Sequence, residues 1–144
     1  MKTEWAAYYD ELGLEGLFRD RAMEILAFYE PLFPGIEDVF VTDYIDKENV
    51  RQYENLWLFS PTLVFEAKKF LTDDDFDGAT FSGKVSRWNV KKNEYNFIKA
   101  TTKSKMVLEV FLTPGALCSL KATRENCDRL RQVFLKYFLP NITK

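Results

Sequence analysis

The sequence predicts an α+β protein: an N-terminal helical extension, a meander of seven short antiparallel strands and a C-terminal helix. Three observations predict it. Apolar residues recur at helical spacing from Leu14 to Tyr29, the period falls to two from Val39 onward, and a helical stripe returns between Cys127 and Phe138. Short connections between the strands favour antiparallel neighbours. At 144 residues the chain fits one structural domain, with residues 1–35 as the extension and 36–144 as the strands and last helix.

Within the extension, Leu14, Phe18, Ala22, Ile25 and Tyr29 share one stripe, and Gly13 and Gly16 predict a break between a short first helix and a longer second. Pro31 and Pro34-Gly35 end it. A first strand follows over residues 36–45, where Val39, Val41 and Ile45 alternate with Phe40, Thr42 and Tyr44, and residues 46–52 form a polar loop. The centre of the chain is a hairpin. Leu56 to Phe59 and Leu63 to Phe65 are two apolar runs, and Ser60, Pro61 and Thr62 supply the turn between them. Residues 72–83 read as an acidic, glycine-punctuated loop. Further strands are expected over 84–90, 95–101, 106–112 and 117–122. The last helix takes Thr123 as N-cap, carries Cys127, Leu130, Phe134, Tyr137 and Phe138 on one stripe, and stops at Pro140.

Seven short strands followed by one amphipathic helix form an order that resembles the pleckstrin-homology-like (PH-like) superfold. The run Leu56-Trp57-Leu58-Phe59-Ser60-Pro61-Thr62-Leu63-Val64-Phe65 looks like the second and third strands of bacterial PH-like and GRAM-like domains, and residues 116–138 resemble their strand running into the closing helix. The resemblance implies a seven-stranded antiparallel PH-like barrel over residues 36–144, closed by the C-terminal helix, and a module that binds phosphoinositide head groups, peptides or other proteins and performs no catalysis. In the loop between the first two strands Lys47 and Arg51 fit the lipid-binding pattern loosely. Tyr53 stands where a second basic residue belongs, and Asp46 and Glu48 oppose an anion.

Composition excludes several chemistries. The chain has no histidine, so Ser-His and Cys-His nucleophile pairs and histidine acid/base catalysis are impossible within it. It contains no GxGxxG, Walker or GxSxG motif. A small carboxylate-based enzyme is the one catalytic alternative, and no Asp or Glu spacing selects a pair, so neither an enzyme nor a cofactor is expected. Cys118 and Cys127 lack metal or redox spacing and read as buried thiols. With no leader pattern and no apolar run of membrane-spanning length, a cytoplasmic protein without a transmembrane segment is expected.

Charge is unevenly distributed. Residues 1–83 hold 18 Asp and Glu against 7 Lys and Arg, and residues 84–144 hold 4 against 13. Mutual neutralisation is one reading and an anionic partner the other. The basic meander offers Lys84, Arg87, Lys91, Lys92, Lys99, Lys103 and Lys105, interleaved with Trp88, Tyr95 and Phe97, as candidate ligands for phospholipid or nucleic acid. Trp5, Tyr8 and Tyr9 are candidates for a protein partner, favoured over capping of the barrel because aromatic residues concentrate at interface hot spots. Asp73, Asp75 and Asp77, followed by Gly78, open like a calcium loop, but Lys84 stands where a closing Glu is needed. The expected function is therefore a non-enzymatic interaction module that binds a protein partner or assembles with its own copies as an oligomer. Anionic ligand binding through the meander is the alternative.

Overall fold

A computed structural model describes residues 3–32, 35–70, 77–81, 84–91, 101–113 and 115–141. The chain is α+β. Helices α1 (Thr3–Leu12) and α2 (Gly16–Tyr29) precede strands β1 (Asp38–Ile45), β2 (Arg51–Phe59), β3 (Val64–Lys68) and β4 (Asp77–Phe81). After them come β5 (Val85–Lys91), β6 (Lys105–Leu112), β7 (Leu117–Thr123) and α3 (Asn126–Val133), which runs on as a π-helical segment, Phe134–Phe138, and a 3-10 turn, Leu139–Asn141. The strands form two antiparallel sheets, in the order β1-β2-β3-β4 and β5-β6-β7. Among the described residues their pairing closes no barrel.

The chain divides into two compact units, residues 1–41 with 54–80 and residues 42–53 with 81–144, so β1 and β2 each contribute to both. In the first unit, α1 buries Trp5, Tyr8, Tyr9 and Leu12, the stripe that spacings of three, four and seven place on one face. The helix ends in a Schellman motif: Gly13 adopts φ +74°, its N–H donates to Asp10 (3.1 Å), and the Leu14 N–H reaches back to Tyr9 (2.9 Å). Gly13 can take this left-handed conformation without a Cβ penalty, which explains the break between the helices.

The expected hairpin forms, with Leu56 opposite Ala67, Leu58 opposite Phe65 and Phe59 opposite Val64. Its turn is closed by Ser60, whose N–H donates to the Leu63 carbonyl (2.9 Å) and whose Oγ accepts from the Leu63 N–H (3.0 Å). Leu56, Trp57, Leu58 and Phe59 are all fully buried, so this end of β2 is covered on both faces. Each such side chain contributes roughly 1.5–3 kcal/mol of burial.

β4 is an addition to the sequence reading, which assigns residues 72–83 to a loop. A Cβ on Gly78 would lie 2.9 Å from the Phe65 ring and 3.0 Å from the Tyr29 hydroxyl. Glycine thus permits β4 to approach β3 and α2 closely, and a residue that looks like a loop signal in the sequence serves packing instead.

In the second unit, β6 and β7 alternate as half-buried strands should: Leu108 faces Leu120 and Val110 faces Cys118, and all four are buried. β5 pairs directly with β6, with a bulge between Val85 and Arg87. The strand expected over 95–101 lies outside the described residues except for Thr101, which is not in a strand. The C-terminal stripe is buried as expected, with Cys127, Leu130, Tyr137 and Phe138 inside and Phe134 packed 4.8 Å from the Trp88 ring. Its start differs from expectation. Thr123 ends β7 and does not cap the helix, because its hydroxyl donates to the buried carboxylate of Asp43, and Glu125 occupies the N-cap position. No helix among the described residues is long and apolar enough to cross a membrane.

Candidate functional site

The second unit contains a cleft of about 550 Å³, walled by residues 43–46 with Asn49, by residues 102–107, and by residues 121–124. Three turns meet there: the β1–β2 connection, the approach to β6, and the β7–α3 corner. Each is fixed by its own hydrogen bonds. In the first, the Asp46 carboxylate accepts from the N–H groups of Glu48 and Val50 (2.9 Å each) and from the Gln52 amide (2.8 Å). The Val50 N–H and the Gln52 amide, in that order, hold the Asp46 carboxyl below its usual range. In the second, Ser104 is buried, its Oγ accepting from the Thr101 N–H (2.9 Å). In the third, the Arg124 N–H donates to the Ser104 carbonyl (2.8 Å), joining the corner to the second turn.

The corner is locked from beneath by Asp43. Its side chain is 0% exposed, and both oxygens are occupied. One accepts from the Thr123 N–H (3.0 Å) and the Asn126 amide (2.7 Å); the other accepts from Arg51 Nε (2.9 Å) and the Thr123 hydroxyl. Arg51 also donates to the Glu125 carboxylate (2.6 Å) and the Thr123 carbonyl (3.0 Å). Burial favours a neutral Arg51, but the Asp43 and Glu125 charges prevail and hold its pKa above the usual value. A buried carboxylate with this many donors is satisfied, as a buried charge must be.

Two residues on the cleft wall, Asn49 (φ +63°) and Arg124 (φ +54°), have left-handed backbones. For asparagine this is common; for arginine it is uncommon, and the network around Thr123 and Asn126 supplies the constraint. The cationic residues that line the cleft are Lys103, Lys105, Lys121 and Arg124, and the acidic ones are Asp46 and Asp43, whose carboxylate is buried. Tyr44, Ile45, Met106 and Val107 are among its apolar lining residues.

Among the described residues the basic meander does not assemble as one site. Lys103 and Lys105 reach the cleft. Arg87 lies over the Phe111 ring at 4.1 Å, Lys91 pairs with Glu109 at 3.2 Å, and Lys84 is exposed just before β5. Lys92 and Lys99 lie outside the described residues. The described cations are shared between β5 and the approach to β6, and only those of the approach line the cleft. Trp5, Tyr8 and Tyr9 are placed in the buried face of α1, with the Tyr8 hydroxyl accepting from the Val41 N–H at 3.0 Å, so they are not at the surface. Asp73 and Asp75 fall outside the described residues, and Asp77 opens β4. Among the described residues no cluster of three Cys, Asp or Glu could hold a metal ion.

Sequence reasoning missed Asp43, Lys121, Arg124 and Asn126. Only Asp43 leaves a local trace, as a lone carboxylate within the strand run Val39-Phe40-Val41-Thr42-Asp43-Tyr44-Ile45. Comparison with family models, curated proteins and solved structures finds no match to the chain.

Proposed function

We propose that this chain is a non-enzymatic binding module whose cleft takes an anionic ligand. The observation that carries the reading is the convergence of Lys103, Lys105, Lys121 and Arg124 on one cleft in which the buried carboxylate is already neutralised by Arg51. The surrounding field favours the same sign of ligand. The unit holding the cleft carries 7 Asp and Glu against 15 Lys and Arg, whereas the other carries 15 against 5. A cleft lined by one sign of charge raises the local concentration of its counter-ion. The order of strands followed by a C-terminal helix among the described residues supports a PH-like architecture for the module. Cytoplasmic location remains part of this proposal.

Titration with inorganic phosphate at about 0.15 M salt, followed by amide chemical shifts, tests the reading. Saturable shifts confined to residues 43–49, 102–107 and 121–124 are expected. The double variant Lys121→Gln/Arg124→Gln is expected to weaken binding by about tenfold or more, since each charge-assisted hydrogen bond contributes roughly 1.5–3 kcal/mol. An absence of saturable shifts in the parent would overturn the reading.

A second reading, a protein partner or self-association, is favoured by the outer side of α2 and the turn after it. Leu17, Phe28 and Leu32 are 76%, 63% and 69% exposed there. Concentration-dependent sedimentation abolished by Leu17→Glu/Phe28→Glu would support it.

A further inference from the structure

Resting on the protein-partner reading of α2, we propose that the occupant of its outer face is a basic amphipathic helix of another chain, with apolar anchors on Leu17 and Phe28 and cations on Asp20 and Glu24. The first observation is that α2 is apolar on two sides. Ala22, Ile25 and Leu26 are buried in the first unit, which is the single stripe that a surface helix needs. Leu17, Phe18, Met23 and Phe28 are exposed nonetheless, and Leu32 continues them in the turn beyond. Exposed apolar residues scattered over a surface are ordinary, but these gather on one helix and its turn. Leu17 and Phe28 stand eleven positions apart, three turns of helix, so they lie on one line and about 17 Å apart along the axis. Beside that line Met23, Leu26, Ala27 and Glu30, at spacings of three and four, border a hollow of about 140 Å³, well below the roughly 300–1,000 Å³ of small-molecule sites. It suits one inserted side chain. Anchors repeated at the helical period are what a partner helix lying along α2 engages.

The second observation is the sign of the face. Asp20 and Glu24 lie between the two anchors and are exposed. Four positions apart, these like charges weaken the helix by repulsion, which a cation set between them would relieve. Among the described residues no ion pair engages either carboxylate. The neighbouring cations are directed elsewhere, since Arg19 pairs with Asp10 and Arg21 donates to the Phe70 carbonyl at 3.0 Å. The unit as a whole carries 15 Asp and Glu against 5 Lys and Arg, so its field attracts a cationic partner. The same surplus opposes a second copy seated face to face, because both copies would bring it to the contact.

The test titrates peptides of about 18 residues, five helical turns, against the parent at about 0.15 M salt. One carries leucines at spacings of three and four with lysines elsewhere, one has the same composition scrambled so that no stripe forms, and one has glutamates in place of the lysines. The amphipathic basic peptide is expected to bind saturably and about tenfold or more tighter than the other two. Leu17→Ser/Phe28→Ser and Asp20→Lys/Glu24→Lys should each weaken it by about tenfold. All four positions are exposed, so both variants should melt with the parent. Equal binding of the scrambled peptide, tighter binding of the acidic one, or affinity unchanged in either variant would overturn the proposal. A parent that binds no peptide up to about 1 mM yet self-associates in sedimentation, and is dissociated by Leu17→Glu/Phe28→Glu, would replace the basic helix by a second copy and leave the protein reading of α2 intact. Silence in both measurements would remove that reading as well.

Discussion

At the scale of single residues, two buried carboxylates have opposite consequences. Asp43 is surrounded by donors from Thr123, Asn126 and Arg51, so its charge holds the β7–α3 corner together. Asp43→Asn leaves Arg51 with one carboxylate partner fewer and places an amide N–H₂ among donors. A loss of about 3–5 kcal/mol in denaturant unfolding is expected, with weaker phosphate binding because Arg124 loses its support. A stability equal to the parent's would show that the network does not hold the corner. Glu66 is different. It is buried on β3 opposite Trp57, with Asn55 as its hydrogen-bond donor at 3.1 Å, and burial, opposed by Lys68 and assisted by Glu54, raises its pKa. The folded state therefore binds the proton more strongly than the unfolded state, and the contribution of Glu66 to stability declines as pH rises from the unfolded pKa, about 4.3, through the raised folded value. Glu66→Gln keeps an acceptor for Asn55 without the charge. It should melt higher than the parent at pH 7, and the advantage should vanish near pH 4; a lower melting temperature at pH 7 would contradict this account.

At the scale of elements, the C-terminal helix is the clearest case of periodicity becoming packing. Its apolar stripe is carried through a change from α to π geometry at Phe134, where the wider turn accompanies the contact between Phe134 and Trp88 and the stacking of Phe134 with Phe138 at 6.4 Å. Phe134→Ala should cost about 3–5 kcal/mol, measured by denaturant unfolding, because it empties a site walled by two rings. Trp88 is 42% exposed and its emission reports the same contact, so a shift of its fluorescence should accompany the loss. An unfolding midpoint and emission equal to the parent's would mean that Phe134 is not core.

At the scale of the whole molecule, the acidic and basic halves of the sequence correspond closely to the two compact units, with the cleft in the basic one. The uneven charge thus accompanies a division of the fold and gives phosphate binding an expected dependence on salt. The same unit encloses both thiols. Cys118 and Cys127 are buried, Cys127 donates to the Ala122 carbonyl at 3.4 Å, and burial pushes its thiol up to about 12. A thiol held this far from its thiolate form reacts slowly. An aromatic disulfide reagent at about pH 8 should therefore leave both cysteines unmodified in the folded chain and modify both in denaturant; rapid native labelling would show that the unit opens readily.

What the sequence determined by itself was whatever depends on neighbours a few residues apart. The α3 stripe, the break at Gly13 and the hairpin turn at Ser60 rest on spacings of three or four and on local turn chemistry, and all are present in the fold; the stripe expected for α2 is kept in part, with Leu14, Ala22 and Ile25 buried and Phe18 43% exposed. Tertiary structure decided what depends on distant partners. Residues 77–81 became a strand because Gly78 lets the backbone meet Phe65 and Tyr29. Thr123 became the end of a strand because Asp43, eighty positions away, accepts its hydroxyl. The cleft follows the same logic: Lys121 and Arg124 join Lys103 and Lys105 only after β6 and β7 pair, since strand register determines which side chains converge and no local pattern records that register.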